Sequence, residues 1–393
     1  MYNQSFSPKL LFSCTTQVER RNSGLKKEEF IEAVAQELGT TLTDGSYRFQ
    51  IRRDGDLFLN GRYKSDFGYL CQNLVLRKLH HNIKRIYSVQ QADRNTIVRQ
   101  LKMLLSEDVD MWVVRLDVRH FYESIDRAQI MKKLKDDARL SYQTLSMLQS
   151  LFASSVISAA KGLPRGLGVS AALSEMYLKY FDLEMKRIAG VYFYARFVDD
   201  IIAVCSNKES SKDVWQCAVD GMTRLELELN LEKSYIWNPV EQTASMTYLG
   251  YTFKKNERQL SVYVSCKKQN VIKTRLTRTF VRYAKDNDYD MLKMRVKYLT
   301  GNFTLYRADT LAPIKVGIFF NYKMATDTAE LDELDAYYQR LLHCRRGKLG
   351  SRIALTREQL KTLEKYSFRF GFENHVNHHF TVDQVLNIKS CWQ

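Results

Sequence analysis

Proline is scarce, with 4 in 393 residues, and glycine is modest at 17. So few breakers argue for long elements joined by few loops. No run of about 18 apolar residues occurs, which excludes a helix built to span a bilayer. The opening MYNQSFSPKL has neither the basic start nor the apolar core of a secretory signal. The seven cysteines (Cys14, Cys71, Cys205, Cys217, Cys266, Cys344, Cys391) are odd in number and far apart, and none pair at zinc-ligand spacing. Free thiols in a reducing cytoplasm are expected. Internal repeats, low-complexity tracts and Pro/Gly/Ser-rich linkers are also missing.

What is present is positive charge: 60 Lys and Arg against 44 Asp and Glu give +16, with a pI near 9.4. The charge is spread along the chain, which points to an extended polyanion as partner, with an anionic membrane surface the weaker alternative. A hydrophobic content of 45% excludes a disordered chain. The length suits two or three structural units at roughly 100 to 200 residues each.

Residues 27–38 (KEEFIEAVAQEL) and 66–82 carry helical spacing, as does 93–105 behind a candidate Asp93 cap. The first third reads as mainly helical. From Met111 the period drops to two, Trp112, Val114, Leu116 and Val118 alternating with Val113, Arg115 and Asp117, which predicts a strand. A helical stretch at about 127–152, a Gly/Pro loop (KGLPRGLG) and one long helix from about Ser170 to Ile188 follow. YFYARFVDDIIAVC reads as a hairpin turning at Val198, Asp199 and Asp200. Residues 209–229 read as helix and 246–254 as β. Beyond Lys254 the chain turns basic, and Arg275, Arg278, Arg282 and Lys285 share one helix face beside Ile272, Leu276, Phe280 and Tyr283. The remainder reads as helix with an apolar interruption at 314–320.

Three carboxylates sit where burial should exclude them: Asp117 inside WVVRLDV, and Asp199 and Asp200 between YFYARFV and IIAV. In one reading Asp117 pairs with Arg115 or Arg196 and the Asp-Asp pair is an exposed turn. In the other, the three form a metal site. The order of elements favours the second, because a strand with Asp117, a helical insertion, a glycine loop with its helix and a hairpin with paired Asp is the arrangement of a polymerase palm. Carboxylates on adjacent strands repel unless divalent cations lie between them, and such a set suits two Mg²⁺ ions.

Here the chain resembles the reverse transcriptases. RLDVRHFYESI is similar to their motif A, GLPRGLGVSAALSE to motif B, FVDD to the Tyr-x-Asp-Asp box of motif C, LNLEKS to motif D and YLGYTF to motif E. Arg85-Ile-Tyr-Ser-Val and Asp93-Arg94 resemble the finger motifs of bacterial and intron-type enzymes. The resemblance runs in order from about residue 60 to 256. It implies an α+β right-hand polymerase: helical fingers over 1–110, a palm with a ferredoxin-like antiparallel sheet over 111–256, and a basic helical thumb over 257–393.

The resemblance also implies roles. Asp117 and Asp199 would be the principal metal ligands, with Asp200 adjoining and the Val118 carbonyl adding an oxygen, for two Mg²⁺ ions that Mn²⁺ could replace in vitro. Tyr122 would be the steric gate against a 2′-hydroxyl. Arg165 and Gly166 would meet the incoming nucleotide, and Arg85 and Arg94 would clamp its triphosphate, guanidinium suiting phosphate. Lys233 would protonate pyrophosphate. Tyr248, Leu249, Gly250 and Tyr251 would grip the primer, and Arg275, Arg278, Arg282 and Lys285 would follow the duplex backbone.

Two departures stand out: Phe197 replaces the motif C tyrosine, and the β-branched Val198 should crowd the primer terminus. The chain shows no signature of an RNase H or endonuclease domain. Its length and boxes resemble bacterial retron and defence-associated enzymes, the type 3 defence systems most of all. That implies a non-coding RNA template, a DNA product, dNTPs and a second reverse transcriptase subunit as partners, in the cytoplasm and without a membrane. Two rivals stay open: a polymerase that is template-independent or protein-primed, and a non-catalytic RNA-binding scaffold. Retention of all three aspartates and of Tyr122 weighs against the scaffold.

Overall fold

The computed structural model describes residues 2–239, 245–256, 259–306 and 312–392. The chain gathers into two compact units, one built from residues up to 94 with 110–238, the other from 95–109 with 239–393. Packing thus divides the chain along different lines from the motif-based boundaries at 110 and 256. Residues 95–109 lie in the second unit, where Lys102 Nζ donates to the Met324 carbonyl at 3.3 Å and Lys255 Nζ to that of Glu107 at 2.6 Å.

In the first unit, β1 (Ile51–Asp54) and β2 (Leu57–Asn60) form a hairpin that the helical reading of this region missed. Its signal was present in Gly55-Asp56, the two-residue loop between Asp54 and Leu57, since Gly55 takes φ 56° and a glycine at the first loop position suits such a hairpin. The Phe67–Ile86 helix starts at Asp66, whose carboxylate accepts from the Gly68 amide at 3.0 Å. Leu74, Val75, Leu79 and Ile83 on one face of it are fully buried.

The central sheet holds β3 (Trp112–Asp117), β4 (Val191–Phe197), β5 (Asp200–Cys205) and β6 (Tyr235–Trp237) in the antiparallel order β4-β5-β3-β6. β3 and β5 occupy the middle, which is why Val113, Val114 and Leu116, and the run from Ile201 to Cys205, are buried on both faces. The Lys208–Arg224 helix packs on β3 and β5, and the Lys179–Arg187 helix on β4. The expected long helix at 170–188 is two, Gly168–Tyr177 and Lys179–Arg187, parted where Leu178 leaves helical dihedrals at φ −87° and ψ 1°. Neither proline nor glycine marks that break, so periodicity could not reveal it.

The second unit holds an antiparallel meander of β7 (Met246–Tyr248), β8 (Tyr251–Asn256) and β9 (Gln259–Val264). The Cys266–Asp286 helix follows, and its predicted apolar stripe of Ile272, Leu276, Phe280 and Tyr283 is the centre of this unit's core, with Val296, Leu334, Tyr338 and Phe368. The rest is not all helix. β10 (Asn302–Tyr306) pairs with β11 (Pro313–Gly317) and with the short β12 (Asn377–His378). The seven cysteines are free thiols, and among the described residues no helix is long and apolar enough to cross a membrane.

Candidate active site

The pairing of β3 with β5 sets Asp117 opposite Asp200. Cross-strand partners in an antiparallel pair project from the same face, so the two carboxylates share one side of the sheet edge. Asp199 lies in the two-residue turn from β4 to β5, where Phe197 faces Asp200. Its neighbour Val198 takes φ 61°, a conformation that β-branched residues rarely adopt and that this turn position normally gives to glycine. Such strain persists only where the surroundings over-determine it. Arg196 does so, donating from Nη1 to the Val198 carbonyl at 3.0 Å.

Neither Arg115 nor Arg196 pairs with Asp117. Arg115 Nη2 lies 3.4 Å from Asp200 Oδ1, its guanidinium 5.8 Å over the Tyr235 ring. Arg196, its side chain 3% exposed, instead binds Glu175 at 2.7 Å and Asp182 at 2.8 Å. Burial alone would lower the Arg196 pKa, but Asp182 and Glu175 outweigh it and hold the group above the usual arginine value. Asp117 is met by Lys233, Nζ to Oδ2 at 3.4 Å, from the loop of LNLEKS. That loop is fixed by the Asn230 amide on the Asp117 carbonyl at 2.8 Å and by the Asp117 amide on Ser234 Oγ at 3.0 Å.

Desolvation pushes the Asp199 and Asp200 carboxyls above the ordinary aspartate value, Asp117 adding to it at Asp199 and Asp199 adding to it at Asp200. A cation placed between them would relieve both penalties. Among the described residues no group of three or more His, Cys, Asp or Glu side chains converges as a ready-made metal cage. Mg²⁺ binds through one or two carboxylates and completes its shell with water and substrate phosphates. Asp117 and Asp199 would be the residues to hold such an ion, with Arg115 Nη2 3.4 Å from Asp200.

The glycine loop closes on this cluster. A Cβ at Gly162, which takes φ 68°, would stand 2.2 Å from the Tyr122 carbonyl oxygen, and the Leu163 amide donates to that same oxygen at 2.7 Å. The loop and the Tyr122 segment are therefore one rigid piece. Tyr122 is half-buried, with the Arg165 guanidinium 5.6 Å over its ring. Burial raises its pKa, with a Ser174 hydrogen bond opposing and Glu175 and Asp199 adding to the rise. Arg165 itself is engaged by Glu123, Nη2 to Oε2 at 2.9 Å, and its carbonyl accepts from the Phe58 amide of β2 at 2.7 Å. Glu123 and Phe58 were missed in the sequence, since each acts through a partner far along the chain, while Arg196 was read there only as a partner for Asp117.

Residues 69–253 match the family model described as reverse transcriptase (RNA-dependent DNA polymerase). This stretch is a reverse transcriptase domain. Domains of that family are RNA-directed DNA polymerases, which are nucleotidyltransferases, and generally use divalent metal ions. No curated protein matches the chain. Among solved structures, the chain is similar to apo telomerase from Candida tropicalis, at 12% identity and a TM-score of 0.37, covering 62% of this chain and 44% of that one. A form of the same telomerase truncated at its C-terminal domain gives 13% identity and a TM-score of 0.34, covering 63% and 50%. Telomerase from Candida albicans, solved in complex with a fragment of telomeric RNA, gives 9% and 0.42, covering 93% and 62%. The chain therefore spans about half the length of the first two.

The other expected site residues fall on the following elements. Arg85 ends the Phe67–Ile86 helix and lines a cavity with Tyr2, His81 and Lys84, none of them a catalytic carboxylate. Arg94 begins the Arg94–Leu105 helix. The Tyr248 and Tyr251 rings are fully buried in the second unit, with Tyr251 Oη on the Asn321 carbonyl at 3.1 Å, while Leu249 and Gly250 make a turn with φ 45° and 83°. On the Cys266–Asp286 helix, Arg275 stacks 5.4 Å over Trp392, Arg278 donates to the Trp392 carbonyl, and Arg282 pairs with Asp286 at 2.8 Å. Three of the four cations expected to face a duplex thus have partners within the chain.

Proposed function

We propose that this protein adds deoxynucleotides to a primer 3′-hydroxyl on an RNA template, with Asp117 and Asp199 holding two Mg²⁺ ions that, when bound, would ready the hydroxyl and neutralise the departing pyrophosphate. The observation that carries this reading is the gathering of Asp117, Asp199 and Asp200 at one sheet edge beside Tyr122 and Arg165. Attack on the α-phosphorus forms the new phosphodiester and releases pyrophosphate. Tyr122 lies beneath the sugar and leaves no room for a 2′-hydroxyl. Arg165 exchanges Glu123 for the nucleotide's phosphates, an exchange of one charge-assisted pair for another. Lys233, poised at Asp117, is the proton source nearest the carboxylates.

The resemblance of GLPRGLGVSAALSE and the Phe-x-Asp-Asp box to retron and defence-associated enzymes supports a bacterial cytoplasmic role in antiviral defence, with a non-coding RNA as template and a second reverse transcriptase as partner. The test is labelled dNTP incorporation on an RNA template with a DNA primer, for the wild-type chain and Asp199→Asn. The variant should lose incorporation while RNA binding falls little, because the basic contacts are untouched. Full activity of the variant in Mg²⁺ would refute the ligand assignment. Equal incorporation without RNA would establish template-independent synthesis instead.

A further inference from the structure

The first unit contains a second basic site. At the C-terminal end of the Phe67–Ile86 helix an open cavity of about 670 Å³ is walled by Tyr2, His81, Lys84, Arg85, Ser88 and Gln90. Among the described residues no carboxylate lines it. Two acids of this unit are engaged by other groups, Glu19 by Arg77 at 2.7 Å and Asp137 by Lys133 at 3.2 Å and the Tyr87 hydroxyl at 3.1 Å. The Lys84 and Arg85 side chains are exposed, and among the described residues neither makes an ion pair or hydrogen bond.

The aromatic wall is held in place. Tyr2 Oη donates to Asn82 Oδ1 at 3.1 Å, and Lys78 Nζ lies 4.8 Å from the ring centre while donating to the Asn3 carbonyl at 2.8 Å. A fixed ring loses little freedom when a base stacks on it. Positive charge dominates: after burial, Lys78, Lys84 and Arg77 are what lower the His81 pKa.

This cavity is not the catalytic pocket. The Phe67–Ile86 and Gly168–Tyr177 helices run side by side, with His80 against Gly168 at one end and Lys179 Nζ on the Tyr87 carbonyl, 3.4 Å, at the other. Lys84 and Arg85 therefore lie toward the Tyr177 end, away from the glycine loop at Gly166.

We propose that this cavity binds a nucleotide, its phosphate on Lys84 and Arg85 and its base against the Tyr2 ring. Ser88 and Gln90 supply the hydroxyl and amide that can meet the edge of the base or the sugar. Guanidinium and ammonium together recognise phosphate, and a tyrosine face accepts any base. The nucleotide is either free or one residue of a single strand.

The test uses the full chain as Asp199→Asn, so that nothing turns over, with two probes: ATP by calorimetry, and a labelled single-stranded RNA by anisotropy across a salt series. Lys84→Glu should weaken the probe that occupies the site by about tenfold, and Tyr2→Ala by about fivefold. If the strand is the occupant, the slope of log affinity against log salt should fall by about 0.7 for each phosphate no longer neutralised. A response of ATP alone assigns a mononucleotide site, and of the strand alone a strand site. Wild-type affinity of both variants for both probes would overturn the proposal. So would a raised KM for dNTP in Lys84→Glu of the active enzyme, which would merge the cavity with the catalytic pocket. Lys84 is exposed, so that variant does not depend on refolding, and the binding arms stand whether or not the chain incorporates dNTP.

Discussion

Arg196→Met should be the most damaging single change near the catalytic turn, although Arg196 touches no substrate. Its side chain is 3% exposed and satisfies Glu175 through Oε2 at 2.7 Å and Oε1 at 3.2 Å, Asp182 at 2.8 and 2.9 Å, and the Val198 carbonyl at 3.0 Å. Methionine matches much of the volume but leaves two half-buried carboxylates without their cation, Asp182 keeping only the Tyr194 hydroxyl at 2.7 Å. Removing one partner of such a pair costs about 3–5 kcal/mol. At about 2–4 °C per kcal/mol for a unit of this size, Tm should fall by about 6 to 20 °C at neutral pH.

The deficit should shrink in acid. Burial raises the Glu175 pKa and Arg196 opposes that rise. The folded chain therefore keeps a proton that the unfolded chain has released, over the window from the ordinary glutamate range up to the raised value. Stability rises as pH falls through that window, and removal of Arg196 widens it. Thermal unfolding followed by circular dichroism at neutral and mildly acidic pH measures both effects. The triple variant Arg196→Met, Glu175→Gln, Asp182→Asn should recover much of the loss. A single variant within about 2 °C of wild type, where at least 6 °C is expected, or a triple variant no better than the single, would refute the account.

Tyr122→Ala should admit ribonucleotides, lowering the dNTP/rNTP efficiency ratio by at least about tenfold, equivalent to about 1.4 kcal/mol. An unchanged ratio would remove Tyr122 from beneath the sugar. Gly162→Ala should destabilise far more than Gly24→Ala, although both glycines have φ near 65° (68° and 64°), because a Cβ meets the Tyr122 carbonyl at 2.2 Å in one case and nothing within 4 Å in the other. Equal Tm losses would mean the loop and the Tyr122 segment are not locked together. Replacing Arg275, Arg278, Arg282 and Lys285 with Ser should flatten the salt dependence of duplex binding by about 0.9 for each phosphate that these side chains had neutralised. A fall worth four phosphates would contradict the engagement of Arg275 and Arg278 by Trp392.

Much of the site was legible because its chemistry is local. Asp117 in an apolar strand, Asp199 and Asp200 at a hairpin turn, and glycines ahead of a helix each carry their meaning within a few residues. The order of those segments was enough to indicate a palm. The apolar stripe on the Cys266–Asp286 helix was equally plain, since a helical period needs only its own residues.

What tertiary structure alone decided was pairing. Arg115 and Arg196 are equally plausible partners for Asp117 in the sequence, yet the register of β3 on β5 gives Arg115 to Asp200, and the packing of β4 gives Arg196 to Glu175 and Asp182. Glu123 binding Arg165, β2 bonding to the glycine loop, and Trp392 covering Arg275 join residues 42, 107 and 117 positions apart. A charge or a backbone amide does not encode its partner; the partner is whichever group the folded chain brings within reach. The same holds for the cavity at Lys84 and Arg85, where Arg85 reads in the sequence as a clamp on the catalytic triphosphate. Local composition sets which residues can bind phosphate or metal, and the long-range closure of the chain sets which of them face one another.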